Sequence, residues 1–416
     1  MKKTFLFLIL LTFPGFLLAQ EEKLIGETVL SCGATQIGDK TYSSLSINQD
    51  VSFGKLGVGL ACQLKWNEDG IRDEDWKKPE DYLPNIIRYI RWANKGDRPL
   101  YIKLGELSDM RIGHGFIVNG YANMIGEKGT NGFKQVIGVV FDVNLEKGGI
   151  ETLVNNVIKI KEEDIPPFRL YGGRIYVSPL KTTGVTFPPI VDRIRVGASY
   201  VRDTDPDPDN EGEEDLIVQG LDSELPLIPR LLILYYDWAT IRDHGSGSGV
   251  GIMGEFPYHY FDLGYKIEYR DIKKDFTPSI FNSLYEVSRP VRLGVKDIKG
   301  WYGEVGLKVP MIFIFSIGYE DYDKRDEEYP ILFGRLEIEG QLIKILTKKD
   351  ISGSAIYYKK NADRDPFNFT TPDSCVIGRL CYGVTEGVNM VYIWKETYKE
   401  DGTPVRNNSI TMEVHF

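Results

Sequence analysis

Apolar and polar residues alternate with a period of two through most of this chain. From Leu56 to Trp66 the even positions read Leu56, Val58, Leu60, Cys62, Leu64 and Trp66, and the odd ones Gly57, Gly59, Ala61, Gln63 and Lys65. Phe261, Leu263, Tyr265, Ile267 and Tyr269 likewise stand against Asp262, Gly264, Lys266 and Glu268. Ile194, Val196, Ala198 and Tyr200 alternate with Arg193, Arg195, Gly197 and Ser199. Side chains of a strand point to opposite faces in turn, so each run is a strand with one apolar and one polar face. Helical three- and four-residue spacing is almost absent.

Twenty segments of this kind can be marked: 27–36, 42–53, 55–66, 85–94, 99–107, 134–145, 149–156, 170–179, 191–201, 216–225, 231–240, 249–257, 260–270, 300–309, 311–320, 331–340, 351–359, 375–384, 387–397 and 407–416. A soluble sandwich or propeller also alternates. These runs, however, approach about ten residues, the length that crosses a bilayer at a tilt, where ordinary strands average nearer six. Their connections are short and long by turns. Gly54, Glu146–Gly148, Pro257–His259, Pro310 and Thr385–Gly387 make tight joins, while 67–84, 108–133, 203–215, 271–299 and 360–374 are long. With both chain ends in the periplasm, Trp66, Tyr200, Trp238, Tyr269, Tyr319 and Trp394 fall at external strand ends, and Phe53, Phe256, Phe261 and Phe416 at the opposite ends. Two aromatic belts flanking an apolar band are what the two membrane interfaces select. The expected fold is all-β: a single antiparallel transmembrane β-barrel of 16–20 strands.

Composition narrows this further. Lys2 and Lys3 precede an apolar run, Thr4 to Leu18, and Ala19 is a plausible cleavage residue although Leu17 is large for the −3 position. Residues 1–19 are therefore expected to be a signal peptide, and 20–416 the barrel domain. No Cys follows the cleavage point, which speaks against a lipoprotein, and no later run of about 20 apolar residues makes a spanning helix. A formal charge of −10 argues against nucleic acid as a partner. Cys32, Cys62, Cys375 and Cys381 show no CxxC spacing and read as small packing residues, with a disulfide pair as the minority alternative.

The final run, Ile410-Thr411-Met412-Glu413-Val414-His415-Phe416, alternates to a terminal aromatic. It resembles the carboxyl-terminal signal strand of bacterial outer-membrane proteins. Together with the signal peptide and the alternation, it makes the chain resemble porin-like barrels in architecture, with no motif matching one named porin family. The resemblance implies an outer-membrane location, membrane lipid as surroundings, and recognition of Ile410, Met412, Val414 and Phe416 by the barrel-assembly machinery.

The polar parity supplies candidate lumen-lining residues: Lys65, Lys103, Arg174, Arg193, Arg195, Asp262, Lys266, Glu268, Arg270, Glu304, Lys308, Arg335, Glu337 and Glu339. Rings of charge set ion preference, but this mixture favours neither sign. Pairing across neighbouring strands is an equal reading. The long loop 108–133 holds Asp109, Arg111, His114, Asn119 and Asn123 among glycines and the apolar Phe116, Ile117 and Val118; it is expected to fold into the lumen and narrow it, the alternative being that the strands on either side extend beyond the membrane.

Asp203, Asp205, Asp207 and Asp209 place carboxylates at every second residue, one way to supply calcium with oxygen ligands; no EF-hand register fits, and a solvated acidic loop is the alternative. No other cofactor is indicated. Arg242-Asp243-His244-Gly245-Ser246 contains acid, imidazole and hydroxyl, but adjacent residues of an extended chain point apart, so no enzyme is expected. The expected function is passive diffusion of small hydrophilic solutes, the alternative a non-conducting barrel with a structural or surface-binding role. Solute identity and oligomeric state, a homo-oligomer included, stay open.

Overall fold

The computed structural model describes residues 25–415 other than 38, 77–78, 128–131, 159–167, 184–187, 189, 208–213, 284, 287–292, 295, 325–328, 341–342, 346–349, 364, 369–370, 386 and 399–402. Residues 1–19, Asp209 and Phe416, singled out above, lie outside the described residues.

Twenty strands form the wall. They are β1 (Ile25–Ile37), β2 (Lys40–Phe53), β3 (Leu56–Asn67), β4 (Ile87–Trp92), β5 (Leu100–Gly105), β6 (Gly138–Asn144), β7 (Gly148–Val154), β8 (Leu170–Val177), β9 (Arg195–Asp203) and β10 (Leu216–Ile228). There follow β11 (Leu232–Ile241), β12 (Ser246–Tyr258), β13 (Phe261–Ile272), β14 (Ile298–Val309), β15 (Phe313–Tyr322), β16 (Ile331–Ile338), β17 (Ile351–Lys359), β18 (Ser374–Thr385), β19 (Val388–Tyr398) and β20 (Pro404–His415). Each pairs antiparallel with the next, and β20 pairs with β1 from Val29↔His415 to Ile37↔Asn407, so the sheet closes and keeps no free edge. The chain is a closed antiparallel β-barrel.

The alternation sorts side chains as its period requires. Leu45, Trp66, Ile175, Tyr200, Leu221, Trp238, Val250, Ile267, Tyr269, Val305, Ile317 and Tyr319 all project outward and are exposed. Phe53 and Phe256 are exposed at the opposite end. The joins at Gly54, Glu146–Gly148, Pro257–His259, Pro310 and Thr385–Gly387 lie at that second end, here the turn end, where 178–194 and 339–350 are the longer exceptions; β1 to β2 and β11 to β12 are short connections at the other end. The long connections lie at the other, loop end.

Every marked segment corresponds to a strand, with shifted boundaries. β4 to β8 are shorter than expected, six to eight residues. Part of the cause is local: at Gly105 (φ 125°) the chain turns off the wall into the lumen, and an added Cβ would come within 2.7 Å of Tyr89 Cα. Residues 136–137 return to the wall buried, so the segment marked 134–145 pairs as wall only from Gly138. Cys32, Cys62, Cys375 and Cys381 are all free thiols.

The inward face is not uniformly polar. Toward the loop end, Val140, Leu153, Leu170, Val201, Val218, Ala239, Ile241, Ile272, Ile298 and Ile331 are buried and join one apolar cluster with Phe116, Val118, Phe276, Phe281 and Tyr285 from connecting segments. The hydrophobic core of this barrel therefore sits inside its lumen.

Candidate functional site

The lumen is filled by two segments from the loop end. The first leaves the wall after β5. Met110 and Tyr121 exchange backbone hydrogen bonds of 2.9 Å, and Ile112 N–H donates to Val118 O at 3.2 Å, so 110–121 doubles back as a hairpin. Its apolar side chains, Met110, Ile112, Phe116, Ile117, Val118 and Tyr121, are buried. Asn123 locks the base: its amide nitrogen donates to Val136 O (3.1 Å) and Asn155 O (3.0 Å), and its oxygen accepts from Leu107 N–H (2.8 Å). Beyond it, Met124–Glu127 and Gly132–Gln135 pair with each other, and the latter strand lies against β20.

The second segment follows β13 and straps the first. Ser279 N–H donates to Phe116 O (2.8 Å), Asn119 N–H to Phe281 O (3.0 Å) and Phe281 N–H to Ile117 O (3.2 Å). The Phe116 and Phe276 rings stack at 5.8 Å. Two inward glycines make room on the wall. A Cβ at Gly220 would meet Ile117 Cδ1 at 2.8 Å, and one at Gly247 would meet the Phe276 ring at 2.7 Å.

Charge fixes the inserted segments to the wall. His114 lies between two carboxylates, with Nδ1 2.9 Å from Asp237 and Nε2 3.2 Å from Glu224. Burial opposes its charge, but the hydrogen bonds to Asp237 and Glu224 outweigh burial and push the imidazole up to about 9. It is therefore the imidazolium, donating from both nitrogens, at neutral pH. Lys266 Nζ donates to His114 O at 2.7 Å. Glu151 accepts from Gly113 N–H at 2.8 Å, while Arg174 holds Asp222 through two bonds of 2.8 and 2.6 Å. Arg111 reaches Glu304 at 3.4 Å and Asp109 accepts from Arg335 at 2.9 Å. At the loop end, fully buried Arg169 donates to Asp203 on the wall and to Glu286 on the strap; Tyr121 donates to Glu286, and Tyr285 to Asp203.

The expected lumen-lining residues occupy this interior in different ways. Lys266, Glu268 and Arg270 are buried in a network with Tyr235 and Glu320. Arg195 pairs with Glu224 at 2.7 Å, and Glu304 accepts from Tyr302 at 2.9 Å. Arg335 also lies 3.4 Å from Glu337. Lys65 is covered by the connection after β3, where it binds Asp75 at 3.0 Å, and Lys103 is half-buried on β5. Asp262 and Lys308 stand opposite one another near the turn end, both open to water. Glu339, just beyond β16, accepts from Met311 N–H at 2.9 Å. Arg193 differs: it stands in a 3-10 turn, Val191–Arg193, ahead of β9, with its guanidinium 3.4 Å from Leu227 O, because the strand begins only at Arg195.

Of the four aspartates read as calcium ligands, Asp203 is fully buried and bound by Arg169 and Tyr285. Its other oxygen accepts from Asp205 N–H at 2.9 Å. Among the described residues, no group of three or more His, Cys, Asp or Glu gathers as metal ligands. Residues 242–245 form a tight turn between β11 and β12, with Asp243 in the left-handed region (φ 62°) and His244 N–H donating to Ile241 O at 3.0 Å. Ile410, Met412 and Val414 lie on β20 opposite Ala34, Cys32 and Leu30 of β1.

No family model and no curated protein matches this sequence. Among solved structures it superposes on the outer membrane protein opdK of Pseudomonas aeruginosa at a TM-score of 0.39 and 9% identity, over 95% of this chain and 99% of that one. OccK2 (OpdF) of the same organism, solved in complex with glucuronate, gives 0.39 and 7%, over 95% and 98%. A BenF-like porin from Pseudomonas fluorescens Pf-5 gives 0.39 and 10%, over 95% and 99%. Superposition that loose leaves this chain's own geometry to decide what the lumen does.

Several residues that hold the site had no place in the sequence reading: Arg169, Glu286, Tyr121, Tyr285, Asp222, Glu224, Asp237 and Glu320. Asp222 and Glu224 flank Ser223 between Leu221 and Leu225, so period-two parity, carried one strand further, marks both as inward. Nothing local marks Arg169, whose partners are 34 and 117 residues away.

Proposed function

We propose that this chain is a bacterial outer-membrane channel for small hydrophilic solutes, with its loop end outside and its turn end in the periplasm. The outward apolar band with aromatic belts fits a bilayer, and a closed wall leaves no backbone group unpaired in hydrocarbon. A barrel of this strand number encloses more than side chains can fill. The observation that carries the reading is the division of the lumen. Below the inserted segments Asp262 and Lys308 face inward and remain exposed, and Arg335 and Glu337 are half-buried on the same face, so the turn-end half is wet and charged. Above them, the route is restricted by 110–121 and its strap. Both signs occur on the wet wall, so no strong preference for cations or anions is expected. The outward strand Ile410, Met412 and Val414 is the segment through which the assembly machinery would receive the chain.

The apolar cluster within the lumen favours a second reading, a barrel closed at rest. Planar-bilayer recording of refolded protein separates the two. Discrete steps in the wild type, enlarged when 113–118 is deleted, are expected of a restricted channel. Silence in the wild type with steps only after deletion identifies a closed barrel, and silence of both folded forms ends the channel reading.

A further inference from the structure

The outward wall carries a groove floored by a glycine. It opens across β13, β14 and β15 at the loop end, with a volume of about 780 Å³. Gly303 forms its floor, at an outward position where neighbours are bulky: the register aligns Ile267, Gly303 and Tyr319, with Tyr265, Val305 and Ile317 in the next row. A Cβ at Gly303 would find no atom within 4 Å, so the notch is open space. Tyr269 and Trp301 form one lip, meeting edge to face at 5.1 Å, with Trp301 59% exposed. Above this apolar body stands a polar rim. Lys299 Nζ lies 2.9 Å from Asp271, and Lys299 N–H donates to Asp323 at 2.9 Å, with Asp321 one row below.

We propose that this groove is a binding site for a glycolipid of the surrounding leaflet. One acyl chain lies in the Gly303 notch along Val305 and Ile317. The sugar lies against Trp301, its hydroxyls donating to Asp321 and Asp323 and accepting from Lys299. Each part has a physical reason. Rigid strands hold the notch open without cost on binding, and dispersion contacts are won only by a group that fills it. Aromatic residues at headgroup depth present an apolar face to the C–H side of a sugar. Carboxylates accept from hydroxyls, and an ammonium donates to them. The rim carries more carboxylates than cations, counting Lys273 (2.8 Å from Asp271) with Lys299, which favours a hydroxyl-rich head over one recognised by phosphate alone. This rests on the membrane placement proposed above but not on conduction.

Native mass spectrometry tests it. Barrel refolded in detergent is incubated with an uncharged glycosyl diacylglycerol, phosphatidylethanolamine or phosphatidylglycerol, and adducts are measured for the wild type, Gly303→Phe and Trp301→Ala. The expected result is a glycosyl diacylglycerol adduct retained by the wild type, cut at least tenfold by either substitution, with both phospholipids held equally weakly by all three. Bilayer recordings of the same variants should match the wild type, which separates this site from the channel reading. Equal retention of every lipid by wild type and Gly303→Phe overturns the proposal. So does a dimer that Gly303→Phe dissociates, since a second copy would then be the occupant.

Discussion

His114 is a charged pin whose strength depends on pH. Its folded value of about 9 exceeds the ordinary 6.5, so its contribution is complete below about pH 6.5 and is lost as pH rises through 9. Asp237, Glu224 and Arg195 face it from the wall, with Tyr235 and Lys266 beside it. Deprotonation leaves two buried carboxylates with one donor fewer. Amide exchange within 110–121 should therefore quicken between pH 8 and 10, whereas His114→Ala should exchange fast at all pH values, at a cost of about 3–5 kcal/mol for breaking a buried pair. Protection of 110–121, taken relative to the intrinsic exchange rate at each pH, that stays constant from pH 7 to 10 in the wild type would refute the pin. Arg169 is the second such residue. Arg169→Ala takes the shared counter-charge from Asp203 and Glu286, and Arg169→Lys keeps charge but not the fork that reaches both. Limited proteolysis after position 273 should accelerate in both variants, more in the first. That His114 belongs in the lumen was legible from its apolar loop. Its partners were not, because ion pairs spanning over a hundred residues leave no spacing in the chain.

At the scale of the element, the period of two gave strands, their outward faces and the side on which loops lie. It misjudged the inward face near the loop end, expected to be polar throughout. Val201 and Val218 occupy inward parity because the surface they meet is another segment of the chain, not water. Only an inserted partner explains an apolar residue on a lumenal face, and a single strand does not announce its partner. The small inward residues complete this fit. Gly220→Leu and Gly247→Leu each drive a side chain into Ile117 or Phe276, an overpacking cost of about 1–3 kcal/mol. Both variants should fold as barrels, shown by unchanged strand content, yet displace the insert and raise single-channel conductance. Unaltered conductance with the barrel intact would mean that the insert does not set the width.

At the scale of the whole molecule, the strand number was legible because tight joins and long loops alternate, and it follows from closure that β20 must find β1. The register places Cys32 beside Met412, both outward. Directly opposed residues of antiparallel strands lie about 4.5–5.5 Å apart at Cα, within disulfide reach. With Cys62, Cys375 and Cys381 replaced by Ala, Met412→Cys should oxidise with Cys32 to a species that resists unfolding on gels, and a shifted register would leave both thiols free.

The strap joins residues very far apart along the chain: Tyr121 meets Glu286 across 165 positions. Contacts of such separation close large loops and form slowly. Strands β6 to β13 must stand beside one another before the strap can reach its hairpin, so the seal is among the last parts of the molecule to set. Closure of β20 on β1 spans a longer separation still, Val29 with His415, so a nascent barrel would gain its closed wall and its obstructed bore together, late in assembly.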